Sequence, residues 1–261
     1  MKVPKILCPS ILNLPIDKSY EDRIIEIDES DIDIFHIDIM DGTFVPNFGA
    51  TLREIELIRS RTKKPLDCHM MVMQPRRYIQ RLADIGIDII YIHPDSELIP
   101  AETIDQIRSL GKQPGIVLNP CNSLETVKEM LPIVDWVMII GVNPGYAGRD
   151  YLPYVTPKAK ALHDHRAASN LSYKLVLDGG ADAEVIANLY NNCGVEGRLK
   201  YAACFYRFYN AAPCGHPFRM KRVNVTNAPS SVICHLILVP FPNKKNVPFV
   251  LDRLPSVPYV R

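Results

Sequence analysis

Short apolar runs alternate along most of this chain with segments whose apolar positions recur every three or four residues. The short runs cover residues 6–11, 34–40, 65–72, 87–93, 115–118, 136–142 and 173–177. Near-continuous apolar runs of this length suit strands buried on both faces. The intervening segments 17–27, 52–60, 76–85, 101–110, 123–131, 157–168 and 182–192 have helical spacing. Gly86 and Gly111 follow two of them, and Asp182 stands where an N-cap would stand. Seven strand–helix units predict a parallel sheet. Seven is closer to the eight of a (β/α)8 TIM barrel than to the five or six of an open doubly wound sheet.

The pattern breaks near residue 198. Residues 1–197 carry 28 acids against 20 bases, whereas residues 198–261 carry one acid, Asp252, against ten bases. Eight of the 22 prolines lie in that last stretch, and its apolar pieces lack helical periodicity. The chain is therefore divided into a barrel domain, 1–197, and an atypical basic, Pro-rich tail, 198–261. Three readings of the tail compete: a basic arm for nucleic acid, a divergent extension, and a segment translated out of its proper frame. The last best explains a composition that changes in mid-element; sequencing the transcript across codon 197 tests it.

Overall composition adds little. Formal net charge is +1 and charged residues are 23% of 261, so no nucleic-acid partner or membrane surface is expected from the total. The seven cysteines form no CxxC pair, which fits reduced thiols in a cytoplasmic protein. The N-terminal apolar run is broken by Pro9 and Pro15 and is too short for a signal peptide.

Chemistry is sought at strand ends, where barrel enzymes keep it. In Phe35-His-Ile-Asp-Ile-Met-Asp41, period-two alternation puts His36, Asp38 and Met40 on one face. In Leu66-Asp-Cys-His-Met-Met71, His69 and Met71 share a face with Asp67. Asp178-Gly-Gly180 ends the seventh run. Each residue alone has a bland explanation: a hydrogen-bonded core histidine, a helix-capping aspartate, a methionine filling space. Convergence of His36, Asp38, His69 and Asp178 on one rim changes that, because two imidazoles and two carboxylates suit a divalent metal. Two glycine-rich turns, Asn143-Pro-Gly-Tyr-Ala-Gly148 and Asp178-Gly-Gly180, suit an anion held by backbone N–H groups; ordinary turns are the plainer reading.

These stretches together resemble the ribulose-phosphate 3-epimerases. The matching segments are Cys8-Pro-Ser-Ile-Leu12, His36-Ile-Asp-Ile-Met-Asp-Gly-Thr-Phe-Val-Pro-Asn47, Pro65-Leu-Asp-Cys-His-Met-Met71, Gly115-Ile-Val-Leu-Asn-Pro120, Val142-Asn-Pro-Gly-Tyr-Ala-Gly148 and Asp178-Gly-Gly180. They keep the family's order over residues 5 to about 197. The resemblance implies a TIM barrel of the ribulose-phosphate-binding type. It implies one divalent ion (Zn, Fe, Mn or Co) on His36, Asp38, His69 and Asp178, with Asp38 and Asp178 as the two acid/base groups. It implies substrate contacts from Ser10, His69, Met40 and Met71, and a phosphate grip from Gly145, Ala147, Gly148, Gly179 and Gly180. The implied reaction is 3-epimerisation of D-ribulose 5-phosphate to D-xylulose 5-phosphate through a cis-enediolate, a step of the pentose phosphate pathway, by a homo-oligomer.

The chain also departs from the family. Ile140 stands where the family has Met, and Arg149 where it often has Gln. After Gly194-Val-Glu-Gly197 comes Arg198-Leu-Lys-Tyr-Ala-Ala-Cys204, with neither the expected eighth strand nor a Gly-Ser/Thr phosphate clamp. Strand eight and the last helix are thus expected to be missing or replaced. Without a substitute, strand seven would border an open edge. Two alternatives stay open: a hexulose (allulose) 6-phosphate 3-epimerase, because Tyr91-Ile-His-Pro-Asp95 resembles that group's His-Pro-Glu, and a catalytically defective product.

Overall fold

The computed structural model describes residues 6–12, 14, 19–180, 183–201, 218–222 and 236–240. Parallel strands β1 (Ile6–Ser10), β2 (Phe35–Met40), β3 (Leu66–Met71), β4 (Ile89–Ile92), β5 (Gln113–Leu118), β6 (Trp136–Ile140), β7 (Lys174–Asp178) and β8 (Gly197–Tyr201) close in chain order into a barrel. Helices α1 (Tyr20–Asp28), α2 (Leu52–Arg61), α3 (Ile79–Ile85), α4 (Pro100–Ser109), α5 (Thr156–Ala168) and α6 (Ala183–Asn192) are spaced between them. Further along, β9 (Phe218–Arg222) and β10 (Leu236–Pro240) form an antiparallel pair. Asp182, expected as a helix cap, lies outside the described residues, as does most of the tail.

Strand alternation sorts the core into two layers. One set of strand side chains fills the barrel: Cys8, Ile89, Tyr91, Val117, Met138 and Val176 are all buried there. The other set, including Phe35, Ile37, Cys68 and Met70, packs outward against helix residues such as Ile24, Ile58 and Leu82. His36, Asp38, Asp67 and His69 are in phase with the inward set, so the fold carries four ionisable groups into the barrel.

Local chemistry sets the helix ends. Thr51 and Glu54 form a reciprocal capping box that starts α2, and Ile55 and Ile58 bury one face of it. Gly86, at φ +103°, ends α3. The helix expected over 123–131 is instead two 3-10 segments, Leu124–Thr126 and Lys128–Ile133. Pro132 lies in the second of them, where it has no N–H to donate to residue 128 and its ring opposes an α-helical turn.

The barrel closes through a substitute strand. Gly197 pairs with Ile6 and Val176, Arg198 with Leu7 and Leu177, and Tyr201 with Ser10. The Ile6 N–H donates to Glu196 O at 2.9 Å, and the Glu196 N–H to Leu175 O at 2.7 Å. Strand seven is thus paired with β8 at Val176 and Leu177, and strand eight is replaced, as the sequence led one to expect. The compositional break at residue 198 falls inside this strand. Gly197 suits its place because a Cβ there would come within 2.8 Å of Val176 Cγ1. No helix among the described residues is long and apolar enough to cross a membrane.

Candidate active site

The site is built at the C-terminal ends of β1, β2, β3 and β7. Register brings Ser10 beside His36, His36 beside Asp67, and Asp38 beside His69. Asp178 arrives as the last residue of β7. His36, Asp38, His69 and Asp178 each offer one ligand atom, and these atoms all lie within 4.8 Å of one another. All four residues are buried. The four residues that the sequence selected from three separate segments therefore come together at one point.

The contacts are specific. His36 Nε2 is 3.2 Å from Asp38 Oδ1, and His69 Nδ1 is 3.2 Å from the same oxygen. His69 Nδ1 is also 3.5 Å from Asp178 Oδ2. Asp38 thus faces both imidazoles with one oxygen. Its other oxygen, Oδ2, accepts the Ser10 hydroxyl at 2.7 Å. Ser10, predicted as a substrate contact, therefore also orients a candidate acid/base group.

Burial and charge compete throughout the cluster. Burial would raise the Asp38 carboxyl, but His36 and then His69 outweigh it and hold it far below the usual carboxylate range. Burial would lower His36, yet Asp67 and Asp38 push it well up. Burial would lower His69 too, yet hydrogen bonds to Asp178 and Asp38 raise it. Asp67 is raised chiefly by its burial, against the pull of His36. Three buried carboxyl groups, Asp38, Asp67 and Asp178, face two imidazoles. Nitrogen and oxygen donors converging on one point fit a divalent cation.

Sequence reading gave no role to two neighbours. Asp67 accepts or shares the proton at His36 Nδ1 in a short contact. Its shared face with His69 was the available signal. His93, noted only as part of a possible hexulose cue, stands fully buried with Nε2 2.8 Å from His69 Nε2. Burial and then the charge of His69 hold its pKa well below the usual value.

The mouth of the barrel has an apolar side and a glycine side. Met40 and Met71 cluster with Val45, with Leu12 and Phe44 packed against them. Across the mouth, Asn47 Nδ2 donates to Gly145 O at 2.7 Å, and the Tyr146 hydroxyl donates to Pro46 O at 2.6 Å. These bonds tie the loop after β6 to the loop after β2. Ala147 is half-buried and Gly148 exposed. Asn143, Gly148, Arg149, Asp150 and Leu152 line a cavity of about 440 Å³ beside this loop. Gly179 and Gly180 follow Asp178 with φ of +89° and +68°. A Cβ on Gly180 would come within 2.7 Å of the Tyr151 backbone nitrogen, so glycine is required there by both torsion and space.

Comparison with known proteins covers the same region. Residues 6–198 match the model of the ribulose-phosphate 3 epimerase family. A ribulose-phosphate 3-epimerase of Synechocystis sp. is 38% identical over 177 residues, 67% of this chain and 76% of that protein. The one from Bacillus subtilis is 33% identical, covering 68% of this chain and 82% of that protein. The chloroplastic ribulose-5-phosphate-3-epimerase of Arabidopsis thaliana is 32% identical, covering 77% and 73%. Among solved structures, a mutant tryptophan synthase alpha-subunit from Pyrococcus furiosus superposes with a TM-score of 0.59 at 14% identity, over 82% of this chain and 93% of that one. A phosphoribosyl anthranilate isomerase from Thermococcus kodakaraensis gives 0.51 at 12% identity, over 77% and 89%. At such identities the structural likeness speaks for the barrel fold alone. The family match and the named relatives carry the assignment: this chain belongs to the ribulose-phosphate 3-epimerase family of isomerases.

Proposed function

We propose that this chain interconverts D-ribulose 5-phosphate and D-xylulose 5-phosphate, with Asp38 and Asp178 as the paired acid/base groups. The observation that carries this reading is the approach of these two carboxylates, from β2 and β7, to the same nitrogen of His69 at 3.2 and 3.5 Å. Inversion at C3 of a 2-keto sugar phosphate needs a base on one face of the carbon and an acid on the other. One aspartate takes the C3 proton, and its counterpart delivers a proton to the opposite face of the planar enediolate. The direction of reaction decides which aspartate acts first.

His36, Asp38, His69 and Asp178 would hold one divalent ion, Zn, Fe, Mn or Co. When bound, it would supply Lewis-acid stabilisation of negative charge developing on the sugar oxygens. The chain's own groups do the rest. Ser10 holds the Asp38 carboxylate in one orientation. Asp67 fixes the ring of His36. Met40 and Met71 line the mouth with polarisable, non-acidic surface that delivers no stray proton. Backbone N–H groups around Gly145, Ala147, Gly148, Gly179 and Gly180 would grip the phosphate. The acidic barrel, 1–197 extended by β8, is the catalytic unit in this reading, and the remaining tail takes no part in it.

Purified protein loaded in turn with Zn²⁺, Fe²⁺, Mn²⁺ and Co²⁺ tests the proposal. Conversion of D-ribulose 5-phosphate is expected, and D-allulose 6-phosphate offered in competition separates pentose from hexose specificity. Folded protein that turns over neither substrate with any metal would overturn the proposal and mark the chain as a non-catalytic relative.

A further inference from the structure

His93 follows β4 and continues the inward phase of Ile89 and Tyr91. Its backbone is extended, at φ −81° and ψ 121°, as the following Pro94 favours. Its carbonyl accepts both the Ser96 N–H at 3.0 Å and the Ser96 hydroxyl at 2.8 Å. The main chain that carries the ring is therefore pinned. The ring lies nearly parallel to that of His69, with centroids 5.0 Å apart and planes at 27°, and Phe44 packs on it at 4.5 Å.

The Nε2 atoms of His93 and His69 are 2.8 Å apart. Such a contact is a hydrogen bond only if one nitrogen carries the proton and the other a lone pair. His69 Nδ1 points at Asp38 and Asp178. To offer a lone pair there, His69 must keep its proton on Nε2, and that proton needs an acceptor. Metal-binding histidines use such an outer partner to fix both tautomer and ring angle. For His36 the partner is the Asp67 carboxylate. For His69, the partner in reach is the ring of His93.

We propose that His93 is a positioning residue. It accepts the Nε2–H of His69 and so keeps the Nδ1 lone pair turned toward Asp38 and Asp178. The inference rests on the metal reading given under Proposed function and adds the group that sets one ligand's tautomer. The complementary proton of His93 then sits on Nδ1, the buried nitrogen that has no partner atom. An orphaned buried donor is destabilising, which a bare packing role for this ring would not require.

The test compares wild-type, His93→Phe and His93→Gln chains by Co²⁺ titration against a chromophoric chelator, with the visible Co²⁺ spectrum as a second readout. His93→Phe is expected to weaken Co²⁺ binding by about 10–100-fold and to shift the ligand-field bands. His93→Gln, whose amide oxygen can accept the same proton, is expected to recover most of the affinity. Unchanged affinity and spectrum in His93→Phe would overturn the inference and leave the metal reading intact. So would a folded His93→Gln chain as weak as His93→Phe. A wild-type chain that binds no Co²⁺ would remove the metal reading and this inference with it. Should His93→Phe not fold, ¹⁵N spectra of the Zn²⁺-loaded wild type decide: coupling between the two Nε2 atoms is expected, and a bare Nε2 on His69 would overturn the idea.

Discussion

Single side chains decide the chemistry, and their loss should be separable. Asp38→Asn and Asp178→Asn should each lower kcat by at least about 100-fold, the low end for a lost general acid/base. Their residual exchange should differ. Each variant keeps one carboxylate, so each should still exchange the C3 hydrogen of one epimer with D₂O, and the epimer should differ between the two. NMR detection of C3 deuteration checks this; exchange of both epimers by both variants would sink the paired-aspartate reading. Ser10→Ala removes the 2.7 Å bond to Asp38 Oδ2 from a buried pocket. A hydrogen bond to a charged group contributes about 1.5–3 kcal/mol, so kcat/KM should fall at least about tenfold. Circular dichroism should find the fold unchanged. His36, Asp38 and His69 were legible in the sequence because period-two alternation gives each a face, and Asp178 because it ends a strand before Gly179 and Gly180. Asp67 and His93 were seen but given no role, because side-chain partners across strands depend on register.

At the scale of elements, the ends of helices and the loops at the mouth are the places to probe. Thr51→Ala dismantles the capping box of α2 and should lower stability by about 1 kcal/mol in urea titration, with no effect on turnover. Asp41 joins two mouth loops. Its Oδ1 accepts the N–H groups of Thr43 and Phe44, and its Oδ2 accepts that of Met73. Burial is the largest single influence and raises this carboxyl, but the backbone donors together outweigh it and hold it below its usual value. A lowered folded-state pKa contributes stability above the unfolded value, about 3.9, and that stability is lost as pH falls through the folded value. The Tm gap between wild type and Asp41→Asn should therefore be level above about pH 5 and close at more acidic pH. A gap that widens on acidification would contradict it. Most helices were legible from spacing. Residues 123–131 were not: they form two 3-10 segments, and apolar spacing does not register the N–H that Pro132 withholds from the second.

The molecule as a whole depends on closure. β8 pairs with β1 on one side and β7 on the other, and Asp178 lies at the end of β7. A chain ending at Glu196 leaves two strand edges unpaired and should aggregate or melt without cooperativity. A chain ending after Tyr201 keeps the strand and should melt as one unit. Equal melts for the two would show that closure does not hold the barrel together. Metal should act at the same scale. Because the cluster exists only when β2, β3 and β7 are assembled, ligand-linked stabilisation should raise Tm with added Co²⁺ or Zn²⁺, and a chelator should reverse it.

The order of strands and helices, the barrel class and the four converging side chains follow from sequence, because burial on alternating faces writes itself into local pattern. Closure did not follow. Arg198-Leu-Lys-Tyr201 alternates polar and apolar residues and does not read as a barrel strand, yet it pairs with β1 along its length and with β7 at Arg198. Strand pairing is made by backbone groups, which every residue but proline supplies in full, and the edges of β1 and β7 offer the same ladder to any extended segment of the right length. Local pattern therefore says which side chains face inward. Only the assembled barrel says which of them touch.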